Sequence, residues 1–189
     1  GLSIKAVYSD GTSKDLNWKD LEIEGFDNTV KGEQTLTLNY DGATASKTIK
    51  VLAAPDSDPI HVSFTLLGDT KHGADTEECH TLDGENLTTW VETGMIEVGA
   101  NETVYEVIKS LEEKYGFKIY DRETQYGTYI YAVEYKDVTL SEFDNGQNSG
   151  WMDTINDVHP GVGVAKQYLN DGDVIVLHYT DDYTKEDQI

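Results

Sequence analysis

Chemistry in this chain would have to come from a few clusters of histidine, cysteine and acid. His72, Cys79 and His80 crowd one polar stretch together with Asp75, Glu77 and Glu78. Imidazole and thiolate suit a soft metal, but a His-x6-Cys-His spacing matches no familiar ligand pattern. Adjacent Cys and His also rarely converge on one ion. The spacing therefore predicts a solvated loop and no metal site. Cys79 as a nucleophile would need a base and an oxyanion hole beside it, and no motif supplies them. Asp153, Asp157, Asp171 and Asp173 fall at predicted turns. Calcium needs six to eight oxygens, and no Asp-x-Asp-x-Asp-Gly loop with a distal Glu is present, so these acids read first as turn residues. Calcium stays open only because acidic surface proteins meet high calcium outside cells. Carboxylates are plentiful enough to imagine glycoside hydrolysis, yet no cleft-forming architecture is legible around a pair of them. Phosphate loops, a nucleophile elbow and a His-Glu-x-x-His helix are all absent, so no catalytic residue is assigned.

Aromatic contact is the other chemistry available. Trp151 and Met152 precede a turn, with His159 and Pro160 beyond it and Tyr168 and Tyr129 as aromatic neighbours to test. An exposed Trp151 would stack on a flat ligand or grip a partner. The competing reading packs Trp151 against Val107 and Leu111, since tryptophans on strands are usually highly buried. The expected contact residues are Trp151, Met152, His159 and Tyr168.

Composition limits the partners. The 189 residues hold 14 basic and 36 acidic side chains, a formal charge of −22. Residues 1–54 carry eight acids against six bases, whereas 55–189 carry 28 against eight. That field repels nucleic acid and anionic lipid. The single cysteine excludes an intrachain disulfide and any multi-cysteine metal site. No apolar run is long enough to span a membrane. Gly1 opens directly on a strand-like segment, which points to a trimmed chain and makes the lack of a signal peptide uninformative.

Two sets of elements must position these residues. Leu2, Ile4, Ala6 and Tyr8 alternate, as do Leu21 and Ile23. Leu36, Leu38 and Tyr40 then share a face before Asp41-Gly42 turns the chain into a strand bearing Ala43, Ala45, Ile49 and Val51. Asp-Gly between alternating runs marks a tight hairpin. Residues 1–54 are expected to be all-β, and 55–59, within the stretch AAPDSDP, a proline-bearing linker. A second domain over 60–183 opens with a strand presenting Val62, Phe64 and Leu66. Strands are predicted around Leu87–Val91 and Met95–Val98, then Phe117–Tyr120, Tyr129–Tyr135, Trp151–Ile155 and Val174–Tyr179. Between them lies one helix, because Thr103 and Glu106 are spaced as a capping box, and Val104, Val107, Ile108, Leu111 and Tyr115 form one stripe ending at Gly116. One helix across a mixed sheet is an α+β, β-grasp-like arrangement. Residues 184–189, closing the acidic stretch DDYTKED, read as a solvated tail.

The stretches KAVYSDGTSKDL and EGFDNTVKGEQTLTLNYDGATASKTIKV resemble the bacterial immunoglobulin-like domains of surface proteins. This implies an all-β immunoglobulin-like sandwich, here without its first strand, acting as a stalk outside a Gram-positive cell. The stretches HVSFTLLG, VGANETVYEVIKSLEEKYGF and SGWMDTINDVHPGVGVAKQYLNDGDVIVLHY resemble the C-terminal domain of transcobalamin and intrinsic factor. That domain caps a corrin held by a separate helical barrel, which is absent from this chain, and with it half of a cobalamin site. The sequence thus predicts a non-catalytic surface or secreted adhesion module whose second domain binds an extracellular protein or small molecule. The alternatives are corrinoid capture with a partner protein and a purely structural spacer.

Overall fold

The computed structural model describes residues 3–53, 57–74, 79–82, 84, 86–125 and 127–186. Leu2, Asp75, Glu77, Glu78, linker residues 55–56 and tail residues 187–189 lie outside the described residues. The chain divides into two compact units, Gly1–Leu52 and Ala53–Ile189.

The first unit is all-β, an immunoglobulin-like sandwich of two small sheets. Strands β1 (Ile4–Val7) and β2 (Ser13–Leu16) pair antiparallel. Strands β3 (Glu22–Glu24), β4 (Gly32–Tyr40) and β5 (Ala43–Val51) form the other sheet. Asp41 and Gly42 both take positive φ, as a two-residue hairpin turn requires. Leu36 and Leu38 on β4 are its buried hydrophobic side chains among the described residues, while Trp18 and Phe26 stay exposed.

The second unit is α+β. Strands β6 (Ile60–Gly68) and β7 (Thr88–Val98) are followed by α1 (Val104–Tyr115), β8 (Phe117–Thr124), β9 (Gly127–Tyr135), β10 (Val138–Ser141), β11 (Gly150–Ile155) and β12 (Val174–Thr180). A mixed sheet has the order β11-β12-β6-β7, with β12 and β6 parallel, and β10-β9-β8 form a separate antiparallel sheet. The two strands predicted at Leu87–Val91 and Met95–Val98 are one strand, β7, interrupted by a bulge. Gly94 takes φ +61° there, and Thr93 Oγ1 accepts the Phe64 N–H that the ladder would otherwise use. Strand β10 escaped the pattern because it has only four residues, of which Leu140 alone is buried.

The helix forms as its sequence dictates. Thr103 Oγ1 accepts from the Glu106 N–H at 3.3 Å and Glu106 Oε2 accepts from the Thr103 N–H at 2.8 Å, while Gly116 closes the helix with φ +68°. Val104, Val107, Ile108 and Leu111 are buried and share one core with Val62, Phe64 and Leu66 of β6 and Ile175, Leu177 and Tyr179 of β12. The opposite face of β12 is what the strand pattern leaves unassigned. His178 is on it, paired across to Met152, and is fully buried.

The end of the chain corrects an expectation. Asp181 and Glu186 are buried, not part of a solvated tail. The Leu82 N–H donates to Glu186 Oε1, and Asp181 and His80 exchange hydrogen bonds through their backbones and the Asp181 carboxylate. Acids that accept backbone N–H groups are stable inside in a way that a charge count does not reveal.

Candidate functional site

Three concave surfaces adjoin along β11 and the start of β9. A recess of about 450 Å³ is floored by Trp151 and Met152 and flanked by Tyr129, Phe143 and Tyr183. A second, of about 640 Å³, lies between the β8–β9 turn and residues 160–166. A narrow recess of about 80 Å³ touches both sets, and Tyr129 lines all three. Phe143 is 61% exposed and Tyr183 48% exposed, so two aromatic rings stand at the rim in water. Phe143 holds a positive φ of 67°, an uncommon state for a bulky residue.

The floor is built by close packing. Trp151 is 4% exposed, donates from Nε1 to the Leu140 carbonyl at 2.8 Å, and lies against Tyr179 and Trp90. It therefore acts as a buried anchor and not as the exposed stacking platform imagined from sequence. A large indole beside the junction of two sheets removes more apolar surface from water by packing than by protruding. A Cβ at Gly150 would meet the Tyr129 hydroxyl at 3.1 Å, so a larger residue there would press on that ring. Burial first, then the Glu142 carboxylate, pushes the Tyr129 phenol up to about 12, and the Arg122 guanidinium over its ring only partly opposes this. Tyr129 is thus a neutral hydrogen-bonding group at any physiological pH.

Of the other predicted contacts, Met152 is half-buried within the recess. Tyr168 is half-buried and bridges to Thr103 at the start of the helix, away from Met152. His159 is drawn into a different cluster. Its Nδ1 faces the Asp153 carbonyl at 3.0 Å, and its Nε2 lies 3.9 Å from Glu186 Oε2. His178 Nε2 lies 3.4 Å from Glu186 Oε1, and among the described residues neither His178 ring nitrogen has a hydrogen-bond partner of good geometry. His159, His178 and Glu186 bring one ligand atom each within 4.8 Å of one another, an arrangement able to hold a divalent ion. His178 reads from sequence as one more strand residue, so only its facing turn and the chain end reveal this group.

A second cluster lies just beyond the C-terminal ends of β6 and β12. Asp69, just past β6, meets His72 and His80 from the loop and Asp181 from beyond β12. The loop predicted to be solvated is therefore partly buried where its two histidines converge, while Cys79 is exposed beside them and takes no part. Spacing along the chain failed here because Asp181 joins Asp69 and the two histidines only through the pairing of β12 with β6. Of the four acids expected at turns, Asp157 follows β11 with a positive φ of 66°, whereas Asp153 lies within β11, because that strand runs on to Ile155. Asp171 accepts the His61 N–H, and Asp173 accepts from Asn170 and Asn156.

Comparison with known families finds one match in each structural unit. Residues 1–52 match the bacterial Ig-like domain (group 3), and residues 101–181 match a domain of unknown function (DUF4430). No curated protein matches the chain. No helix among the described residues is long and apolar enough to cross a membrane. Residues 1–52 are thus similar to a bacterial Ig-like domain, which suggests a surface or structural module, and the α+β unit is similar over 101–181 to a family without an assigned function.

Proposed function

We propose that the chain is a non-catalytic part of an extracellular surface protein, in which the Ig-like unit serves as spacer and the α+β unit binds a partner or small ligand in the trough along β11. The observation that carries this reading is the recess beside Met152 with Phe143 and Tyr183 exposed at its rim. Exposed aromatics around a concave apolar floor are the usual anchors of recognition. The residues lining that recess include no carboxylate, imidazole, thiol or amine, which favours binding over acid–base chemistry. The acidic surroundings select a neutral or cationic ligand.

A phage-displayed random peptide library selected against the full chain tests the trough. Enriched peptides should bind at least about 10-fold more weakly to a Phe143→Ala/Tyr183→Ala double variant, the scale of losing one good anchor. Binding that the double variant leaves unchanged would place recognition elsewhere. Selection yielding no binder would favour the spacer reading. The resemblance to cobalamin carriers adds a corrinoid as a second probe: saturable quenching of tryptophan fluorescence by cyanocobalamin, lost in the same variant, would identify the ligand class.

A further inference from the structure

We propose that Asp69, His72, His80 and Asp181 form a closed binding site for a zinc-class divalent cation, which clips the described part of the connection between β6 and β7 to the end of the mixed sheet. This stands independently of the trough.

Geometry comes first. Asp69 Oδ2 lies 2.7 Å from His80 Nδ1 and 3.3 Å from His72 Nε2. Asp181 Oδ2 lies 3.3 Å from His72 Nε2 and 4.0 Å from His80 Nδ1. Four N and O ligands bound to zinc at about 2.1 Å in a tetrahedron are roughly 3.4 Å apart, so these spacings bracket the required edge. Two imidazoles with two carboxylates also match the donor preference of zinc better than that of calcium or magnesium, which favour all-oxygen sets.

The hydrogen bonds point the same way. His72 Nδ1 faces the Gly73 carbonyl at 2.8 Å, which holds the proton on Nδ1 and turns the Nε2 lone pair toward the carboxylates. A ligating histidine is usually oriented in this way by its other nitrogen. Asn145 has its amide fixed, since Oδ1 accepts the His72 N–H at 3.0 Å. Its Nδ2 then faces four acceptors, Asp69 Oδ2, Thr70 O, His72 Nε2 and Asp181 Oδ1, at 2.9 to 3.2 Å. An amide nitrogen has only two hydrogens to give. The cluster therefore holds a surplus of lone pairs around two buried carboxylates, whose ion-pair partners among the described residues are the two histidines alone. A cation bound by all four groups removes that surplus, at a place where unmatched charge is costly.

The fold gives the ion a task. Between β6 and β7 the described residues form neither helix nor strand. So long an irregular segment needs an anchor of its own. Binding between Asp69 at its start, His72 and His80 within it, and Asp181 on the neighbouring strand end would supply one.

The test uses the full chain, stripped with EDTA and titrated with zinc chloride by calorimetry and with cobalt(II) by visible absorption. The expected result is one tight equivalent of zinc, cobalt d–d bands of tetrahedral intensity, and a higher unfolding temperature with zinc. His80→Ala should weaken zinc binding by at least about 100-fold, a loss that even residues supporting ligands can cause. Asp181→Asn, nearly isosteric, should do the same if His80→Ala fails to fold. Absence of zinc binding to the wild-type chain overturns the proposal. So does a single equivalent that survives both variants, or one that His159→Ala removes, which would put the ion at the His159–His178–Glu186 cluster.

Discussion

Asp153 shows how one residue can record the cost of its surroundings. It lies on β11 beside the small recess, with Oδ2 buried and without a hydrogen-bond partner among the described residues. Burial raises its pKa from 3.8 to about 6, against a hydrogen bond from Gln167 and the charge of His159, both of which lower it. An acid with a raised pKa in the folded state keeps its proton longer there than in the unfolded chain. Its contribution to stability is therefore fully present below about pH 4 and is lost as pH rises through about 6, up to about 3 kcal/mol. Asp153→Asn should remove this loss. Denaturant unfolding of the variant and the wild type should give similar stabilities at pH 4, with the variant the more stable at pH 7.5. Equal differences at both values would show that the carboxylate stays charged in the fold.

At the scale of elements, the helix is the segment on which both the core and the trough depend. Its buried stripe covers the face of the mixed sheet that carries Trp151, Tyr179 and Leu177. Thr103 both caps it and bridges to Tyr168, so the cap also ties the segment before β12 to the helix start. Thr103→Ala should cost about 1 kcal/mol, within the roughly 0.5–2 kcal/mol seen for lost caps, measured as a lower urea midpoint with an unchanged slope. The helix was legible because all its signals are local: the capping box, the stripe and Gly116. The bulge in β7 was not, because Thr93 takes over a ladder hydrogen bond from β6, and that exchange exists only once the two strands pair.

For the whole molecule, charge is the dominant quantity. Residues 55–189 carry 28 acids against eight bases, and such an excess of one sign destabilises the compact state through self-repulsion. Raising sodium chloride from about 10 to about 150 mM shortens the Debye length from roughly 30 to 8 Å. The unfolding temperature of the α+β unit should rise across that range in metal-free buffer. A flat response would mean that its acids are already neutralised in the fold by hydrogen bonds and bound cations. The two units should unfold in separate transitions, since each is compact by itself.

Sequence alone determined the division into an all-β part and an α+β part, the helix with both its ends, the Asp41-Gly42 hairpin and the turn closed by Asn170 and Asp173, because the signals for each lie within a few positions of one another. Tertiary structure decided what was buried and what converged. It sank Trp151 into the core, left Phe143 and Tyr183 at the rim, and drew Asp69, His72, His80 and Asp181 together beyond the adjoining ends of β6 and β12. Periodicity reports which way a side chain faces along its own strand. Only the pairing of distant strands and the return of the chain end fix which groups meet.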